Sequence, residues 1–223
     1  MSSAMASAKA RTLVLSAWAP EVAPLARLLR AHPAQGKGTE LAAVGVGLVD
    51  AAVGAARAIA GAKPARVIFV GTAGVYPAAA RGLPIGAAAL AGEVRLVSSA
   101  ALRGDAYAPA PLVSNATTLK ALRDQLARAT ALPTLTVACP VAITKAPALA
   151  RKLGATGAAL ENLEVFAVAR AADAAGLPFA AVLGISNVVG PNAHAEWRAN
   201  HLAASRAACH VIWSWLKGTD QQG

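Results

Sequence analysis

Cysteine is scarce in this chain. Cys139 and Cys209 stand far apart, with no CxxC and no Cys/His spacing of a metal site. A disulfide scaffold is excluded, and a reduced, cytoplasmic setting is expected. Aromatic residues make up only 4% of the chain, so each one is informative. Acidic residues are few, 11 against 21 Lys and Arg, for a formal net charge of +10. That balance raises the question of nucleic acid. The cations are scattered, however, from Arg27 and Arg30 through Arg95 and Arg123 to Arg170, with no basic run and no interleaved aromatics. The pattern describes a dispersed basic surface, whose field suits an anionic small ligand, rather than a nucleic-acid interface. Long uninterrupted apolar runs are also missing. No window offers the roughly 20 apolar residues of a membrane span free of Gly, Pro or charge. The stretch TLVLSAWAPEVA resembles a short signal core, but Pro20 and Glu21 interrupt it, and it reads well as a first strand.

Hydrophobic residues amount to 56% and charged ones to 14%, so a large core is expected. The 223 residues suit one α/β domain. Residues 11–218 are read as that domain, between flexible tails at 1–10 and 219–223. Strands are expected at Thr12 to Ala17, Leu41 to Val46, Arg66 to Val70, Ala87 to Ser99, Leu132 to Ala138 and Phe179 to Ile185. Helices are expected after Pro20-Glu21, over Val49 to Ala62, Ser114 to Ala129 and Ala146 to Gly154, from Glu161-Glu164 to Gly176, and from about Trp197 to Lys217. Ala100 to Leu112 reads as an irregular stretch, a place for a substrate loop. Alternating strands and helices favour a central, mostly parallel mixed sheet flanked by helices.

Three buried strands end in small or polar residues: Gly45-Val46-Gly47, Gly71-Thr72-Ala73-Gly74 and Ser186-Asn187. Groups released at the carboxyl ends of such strands usually form a site. GVG lacks the full GxGxxG spacing, and no acid follows at the place a dinucleotide ribose requires. From the residues alone, several roles stay open. Glu21 serves a helix dipole or a site. Glu161 begins a helix and stays outside the catalytic set. Glu164 lies among apolar residues, where an unpaired carboxylate is costly, which favours function. Ser186 and Asn187 cap a turn or meet a ligand. His194 and His201 read as surface residues. Trp197 reads as pocket wall or core, and Trp213 and Trp215 as core or interface. Cys139 has no evident base and reads as a small buried residue.

Glu21, GVGLVDAA, FVGTAG, ENLE and GISN, in that order and over nearly the whole chain, resemble the nucleoside phosphorylase/nucleosidase superfamily. ISNVVGP followed by Trp197 is most similar to the futalosine hydrolases of menaquinone biosynthesis. The methylthioadenosine/S-adenosylhomocysteine nucleosidases are next nearest. The resemblance implies a purine nucleoside N-ribosyl hydrolase, homo-oligomeric, that needs no cofactor or metal. Glu21 would activate water, and Glu164 would accept the ribose hydroxyls. Ser186 and Asn187 would meet the purine, with Asn187 in the catalytic set. Gly47, Thr72, Ala73, Gly74, Ala142, Ile143, Leu163 and Trp197 would line the substrate, Leu163 standing where a Met often packs on the sugar. Asn187 stands where the adenosyl nucleosidases place Asp; its amide suits a hypoxanthine leaving group without excluding adenine. Val165 replaces a smaller residue, implying a narrower pocket. His194 lies where futalosine hydrolases more often carry Arg. A phosphate-dependent phosphorylase, an adenosyl nucleosidase and a non-catalytic nucleoside-binding relative are the alternatives. The helix at Val49 to Ala62 or the tryptophan-bearing last helix would supply the subunit interface.

Overall fold

The computed structural model describes residues 11–219. The expected tail at 1–10, and 220–223 of the expected C-terminal tail, lie outside the described residues, while Thr219 closes the last helix. The elements are β1 (Thr12–Ser16), α1 (Ala19–Ala31), α2 (Pro33–Gly36), β2 (Thr39–Ala43), α3 (Leu48–Ala62), β3 (Arg66–Val75), β4 (Ala88–Val97) and α4 (Ser99–Arg103). Then follow β5 (Asn115–Thr117), α5 (Lys120–Thr130), β6 (Thr134–Pro140), α6 (Pro147–Ala155), β7 (Leu160–Glu161), α7 (Val165–Ala174), β8 (Phe179–Val188) and α8 (Ala193–Thr219).

The expected mixed, mostly parallel sheet is present, and it does more than lie flat. β2, β1 and β3 are parallel neighbours, β3 continues to β8, and β8 runs antiparallel to β4. β4 pairs with β6, β6 with β7, and β7 returns to β3. Strands β3, β8, β4, β6 and β7 therefore close on one another like a small barrel, with β1, β2 and β5 as extensions. Closure explains why β3 and β8 are buried almost from end to end, and why RVIFV and FAAVLGI are continuous apolar runs rather than alternating ones. One core cluster, with Phe69, Leu160, Val165 and Leu183, lies under α3 and α7. A second, with Ile68, Leu90, Leu122 and Trp213, lies under α1, α5 and α8.

Several expected boundaries move. β3 and β8 run on through Gly71–Gly74 and Ser186-Asn187, because the barrel supplies partners past the buried runs. β2 ends at Ala43, and Gly45 and Gly47 form a loop at positive φ. Residues 115–117 are a strand against β4, not a helix start. Glu161 belongs to β7; the helix begins only at Val165. Trp213 and Trp215 are buried at 6% and 4% exposure, whereas Val49 and Val53 of α3 stand 75% and 56% exposed. No helix among the described residues is long and apolar enough to cross a membrane.

Close backbone approach fixes α8 on β8. A Cβ on Gly184 would lie 2.1 Å from the Ala204 carbonyl oxygen. Gly184→Ala should therefore lower stability by about 1–3 kcal/mol. Gly61→Ala, on α3 with nothing within 4 Å of the new Cβ, should raise it by about 0.5–1 kcal/mol. Denaturant titrations of both variants check the pair; equal effects would show that α8 can slide off β8 without cost.

Candidate active site

A cavity of about 360 Å³ opens where β1, β3 and β8 end, a volume suited to a nucleoside-sized ligand. Ala17, Trp18 and Glu21 line it from the first strand–helix turn, and Thr72, Ala73 and Gly74 from β3. Glu161, Asn162, Leu163 and Glu164 line it from the β7–α7 turn, and Ser186 and Asn187 from β8. Val46, Ile143, Ala193, His194 and Trp197 complete it.

Glu21 occupies the first turn of α1, started by Pro20 in a position where a missing N–H costs nothing. Only 6% of Glu21 is exposed. Both the Thr72 backbone N–H, at 2.9 Å, and the Thr72 hydroxyl, at 2.8 Å, donate to Oε1. Oε2 is buried and has no partner. Burial pushes the carboxyl up to about 7, against the pull of the two Thr72 bonds. A carboxylate with one anchored oxygen, one free oxygen and a pKa near neutrality is suited to accept a proton.

Glu164 faces the same cavity from the N-cap position of α7. The Gly47 N–H donates to its Oε1 at 2.9 Å, and Gly47, at φ 86°, carries that N–H in from the loop. Burial raises its pKa as well, opposed first by the Gly47 bond. The turn is tied by Asn162. Its Oδ1 accepts from the Glu164 and Val165 N–H groups, and its Nδ2 donates to the Thr72 carbonyl. Glu161 anchors the floor: one oxygen accepts from the Tyr76 hydroxyl at 2.8 Å, the other from the Thr144 N–H at 3.0 Å. Sequence reasoning left both residues out of the site. Asn two residues before a helix N-cap was the available signal for Asn162; Glu161 carried none.

The register of β3 against β8 slips between Ala73 and Gly74, so Gly74 faces Asn187 and Ser186 is left over. Bulges of this kind re-aim side chains beside sites. The Ser186 hydroxyl lies 2.8 Å from Asn187 Oδ1 and 3.2 Å from the Ala73 carbonyl, and it donates to them. With Oδ1 engaged, Asn187 presents its amide N–H groups, one of them to the Val188 carbonyl at 3.3 Å. Gly74 makes room: a Cβ there would lie 2.8 Å from Asn187 Nδ2.

The outer wall is aromatic. Trp197 stacks against His194 and His201, with ring centroids at 5.8 and 4.6 Å, and Trp18 packs 5.9 Å from Trp197. The Trp197 indole N–H donates to the Thr72 hydroxyl oxygen at 3.2 Å. Trp18, a rare aromatic just before Glu21, was not singled out from sequence. Ile143 and Leu163 line the cavity, but Ala142 is exposed and does not. Gly47 reaches it only through Glu164. Val165 does not narrow it; the side chain is fully buried in the core beneath α3 and α7. Residues 100–112 do not line it either, and none of them is buried. Burial pushes the Cys139 thiol up to about 12, which leaves it inert.

A search of curated proteins gives no match. Solved structures give the same fold over nearly the whole chain. The methylthioadenosine/S-adenosylhomocysteine nucleosidase of Helicobacter pylori superposes with a TM-score of 0.81 at 15% identity, over 94% of this chain and 98% of its own. The futalosine hydrolase of Helicobacter pylori gives 0.81 at 16% identity, over 94% and 98%. The Neisseria meningitidis nucleosidase, solved with methylthio-immucillin-A, gives 0.77 at 20% identity, over 93% and 99%. These likenesses establish the fold. The family model of the phosphorylase superfamily matches residues 14–217, and the chain belongs to that superfamily.

Proposed function

We propose that the protein is a purine nucleoside N-ribosyl hydrolase. The observation that carries this reading is the pair of buried carboxylates, Glu21 and Glu164, facing one cavity whose wall offers the Asn187 amide. Breaking a ribosyl N–C bond builds positive charge on the ribose and negative charge on the purine. Glu164 accepts hydrogen bonds from the ribose hydroxyls and stabilises the cationic ring. Water adds to C1′ as the C1′–N bond breaks, and its proton passes to Glu21 Oε2. The electron pair goes to the purine, whose ring nitrogen or 6-oxo group accepts a hydrogen bond from Asn187 before protonation by water.

Water is favoured over phosphate because no Lys or Arg is among the residues lining the cavity, so a phosphate dianion would meet two carboxylates without a cation. Asn187 favours a 6-oxopurine, which carries its charge on oxygen. A 5′-modified inosine of the futalosine type is therefore the proposed substrate, placing the protein in menaquinone biosynthesis. His194 is the polar group at the cavity available to a distal carboxylate. The apolar side chains of Val46, Ile143 and Leu163 support a second reading, a 5′-alkylthio nucleoside such as methylthioadenosine. Two free, buried cysteines are consistent with a reducing, cytoplasmic setting. The exposed Val46, Val49 and Val53 around α3 support self-association there rather than through Trp213 and Trp215.

Futalosine, inosine, adenosine and methylthioadenosine, each with and without phosphate, are the deciding substrates. The expected result is free hypoxanthine from futalosine without phosphate. A phosphate requirement would make the protein a phosphorylase, and release of adenine alone an adenosyl nucleosidase. Glu164→Gln should lower kcat by about 100-fold or more. Background turnover unchanged by that substitution would leave only a nucleoside-binding role. Asn187→Ala should cost about 100-fold in kcat, by loss of a donor to the departing base.

The pH profile follows from Glu21. A base must be ionised to accept a proton, and burial places this carboxyl near 7. kcat/KM should rise with unit slope as pH climbs toward about 7, then level off. A profile flat from pH 5 to 8, values spanning the ordinary range of histidine charge change, would remove Glu21 from the base role.

A further inference from the structure

The indole N–H of Trp197 has its own partner inside the site, and that bond leads to the proposed base. We propose that Trp197 is a positioning residue: by donating to Thr72 Oγ1 it holds the Thr72 hydroxyl as a donor to Glu21 Oε1, leaving Oε2 as the oxygen that takes the proton from water. The inference rests on the reading of Glu21 as the base.

The chain of bonds has one direction. An indole N–H donates and never accepts. Thr72 Oγ1 therefore spends a lone pair on Trp197 at 3.2 Å and points its hydrogen at Glu21 Oε1 at 2.8 Å. The Thr72 backbone N–H donates to the same oxygen at 2.9 Å. Two donors on Oε1 disfavour a proton there, whereas Oε2 is buried without a partner in a residue that lines the cavity. Without the indole N–H, the Thr72 hydroxyl is free to turn and accept from a protonated Oε1. That rotation stabilises the acid form of Glu21 on the wrong oxygen.

Other groups around Glu21 do not substitute for this control. Glu164, at the N-terminus of α7, raises Glu21 by its charge. On α8, Cys209 Sγ donates to the Glu21 backbone carbonyl at 3.2 Å, not to the carboxylate. Glu196 is committed to the Val188 N–H at 2.7 Å. His194 and His201 both stack against the Trp197 ring, and no Lys or Arg is among the residues lining the cavity. A phenylalanine at 197 would keep an aromatic ring in the wall and remove the N–H, together with part of the indole's area.

The test reads Glu21 directly in ligand-free protein, by ¹³C NMR of carboxyl-labelled glutamate, with the resonance assigned by its loss in E21Q. W197F should raise the Glu21 midpoint by about half a pH unit, which is about threefold in the acid-to-base ratio. kcat below neutrality should fall by the same factor, with KM held within about twofold. T72V should raise the midpoint further, and W197F/T72V should match T72V, because the indole acts only through the hydroxyl. An unmoved midpoint in W197F, or an equal shift in the T72V background, overturns the proposal. If W197F does not fold, the Trp197 indole N–H resonance of the unsubstituted protein carries the test. It should titrate with Glu21 and lose that dependence in T72V; a flat resonance overturns the proposal. A shifted midpoint in a protein that cleaves no nucleoside would uphold the bond chain and sink only the hydrolase reading.

Discussion

Glu21 and Glu164, two of the three carboxylates that line the cavity, face it with no Lys or Arg among the described lining residues, and much of the site follows from that constraint. An ionised carboxylate out of water is costly unless donors surround it. Here the donors are the Thr72 backbone N–H and hydroxyl for Glu21, held on the barrel strand β3, and the Gly47 N–H for Glu164, held at the N-cap of α3. The donors are too few to cancel burial, so both groups hold their protons to higher pH than usual. A cation would have lowered both. No Lys or Arg is among the described residues of the cavity wall, so no cation there opposes the rise that burial causes.

The fold assembles these groups from remote parts of the chain. The turn from β1 into α1 delivers Glu21, β3 delivers Thr72, and β8 delivers Ser186 and Asn187, because the three strands are successive parallel neighbours whose ends converge. β7 is only two residues long, yet it pairs with both β3 and β6. That pairing closes the barrel and sets Glu161 under Tyr76 and Thr144. Asn162 then links the β7–α7 turn to the Thr72 carbonyl, so the element holding one carboxylate is bonded to the residue holding the other. Displacing either acid therefore disturbs both.

The architecture was legible because RVIFV and FAAVLGI are apolar throughout, as strands buried on both faces must be, and because helical spacing separates them. The cavity residues Glu21, Thr72, Glu164, Ser186 and Asn187 were legible as polar groups at strand ends or among apolar neighbours. What escaped was set by long-range pairing. β7 is too short to show any period, and Glu161 reads as a helix residue until β3 and β6 claim it. Val165 differs in the opposite sense: one residue from Glu164, it points into the core, since a helix turns about 100° per residue. Ala100 to Leu112 reads as irregular, yet its first residues belong to the short helix α4, capped by the Ser98 hydroxyl, and none of the stretch lines the cavity. Trp197 was seen as wall or core, yet its N–H bond to Thr72 depends on α8 lying across β3, which no local pattern encodes.

Asn187 shows how the scaffold limits the chemistry. A carboxylic acid at this place could hand a proton to the departing base, but an amide cannot. The bulge at Ser186 makes the most of what the amide has. By donating to Oδ1, the serine hydroxyl leaves the NH₂ end as the part free to face a ligand, and Gly74 leaves the space that end needs. The side chain is thus fixed as a donor, strongest toward an acceptor that gains charge as the bond breaks. Oδ1 keeps a second lone pair while Ser186 occupies the first, so the bond orients the side chain without barring a further donor on the ligand.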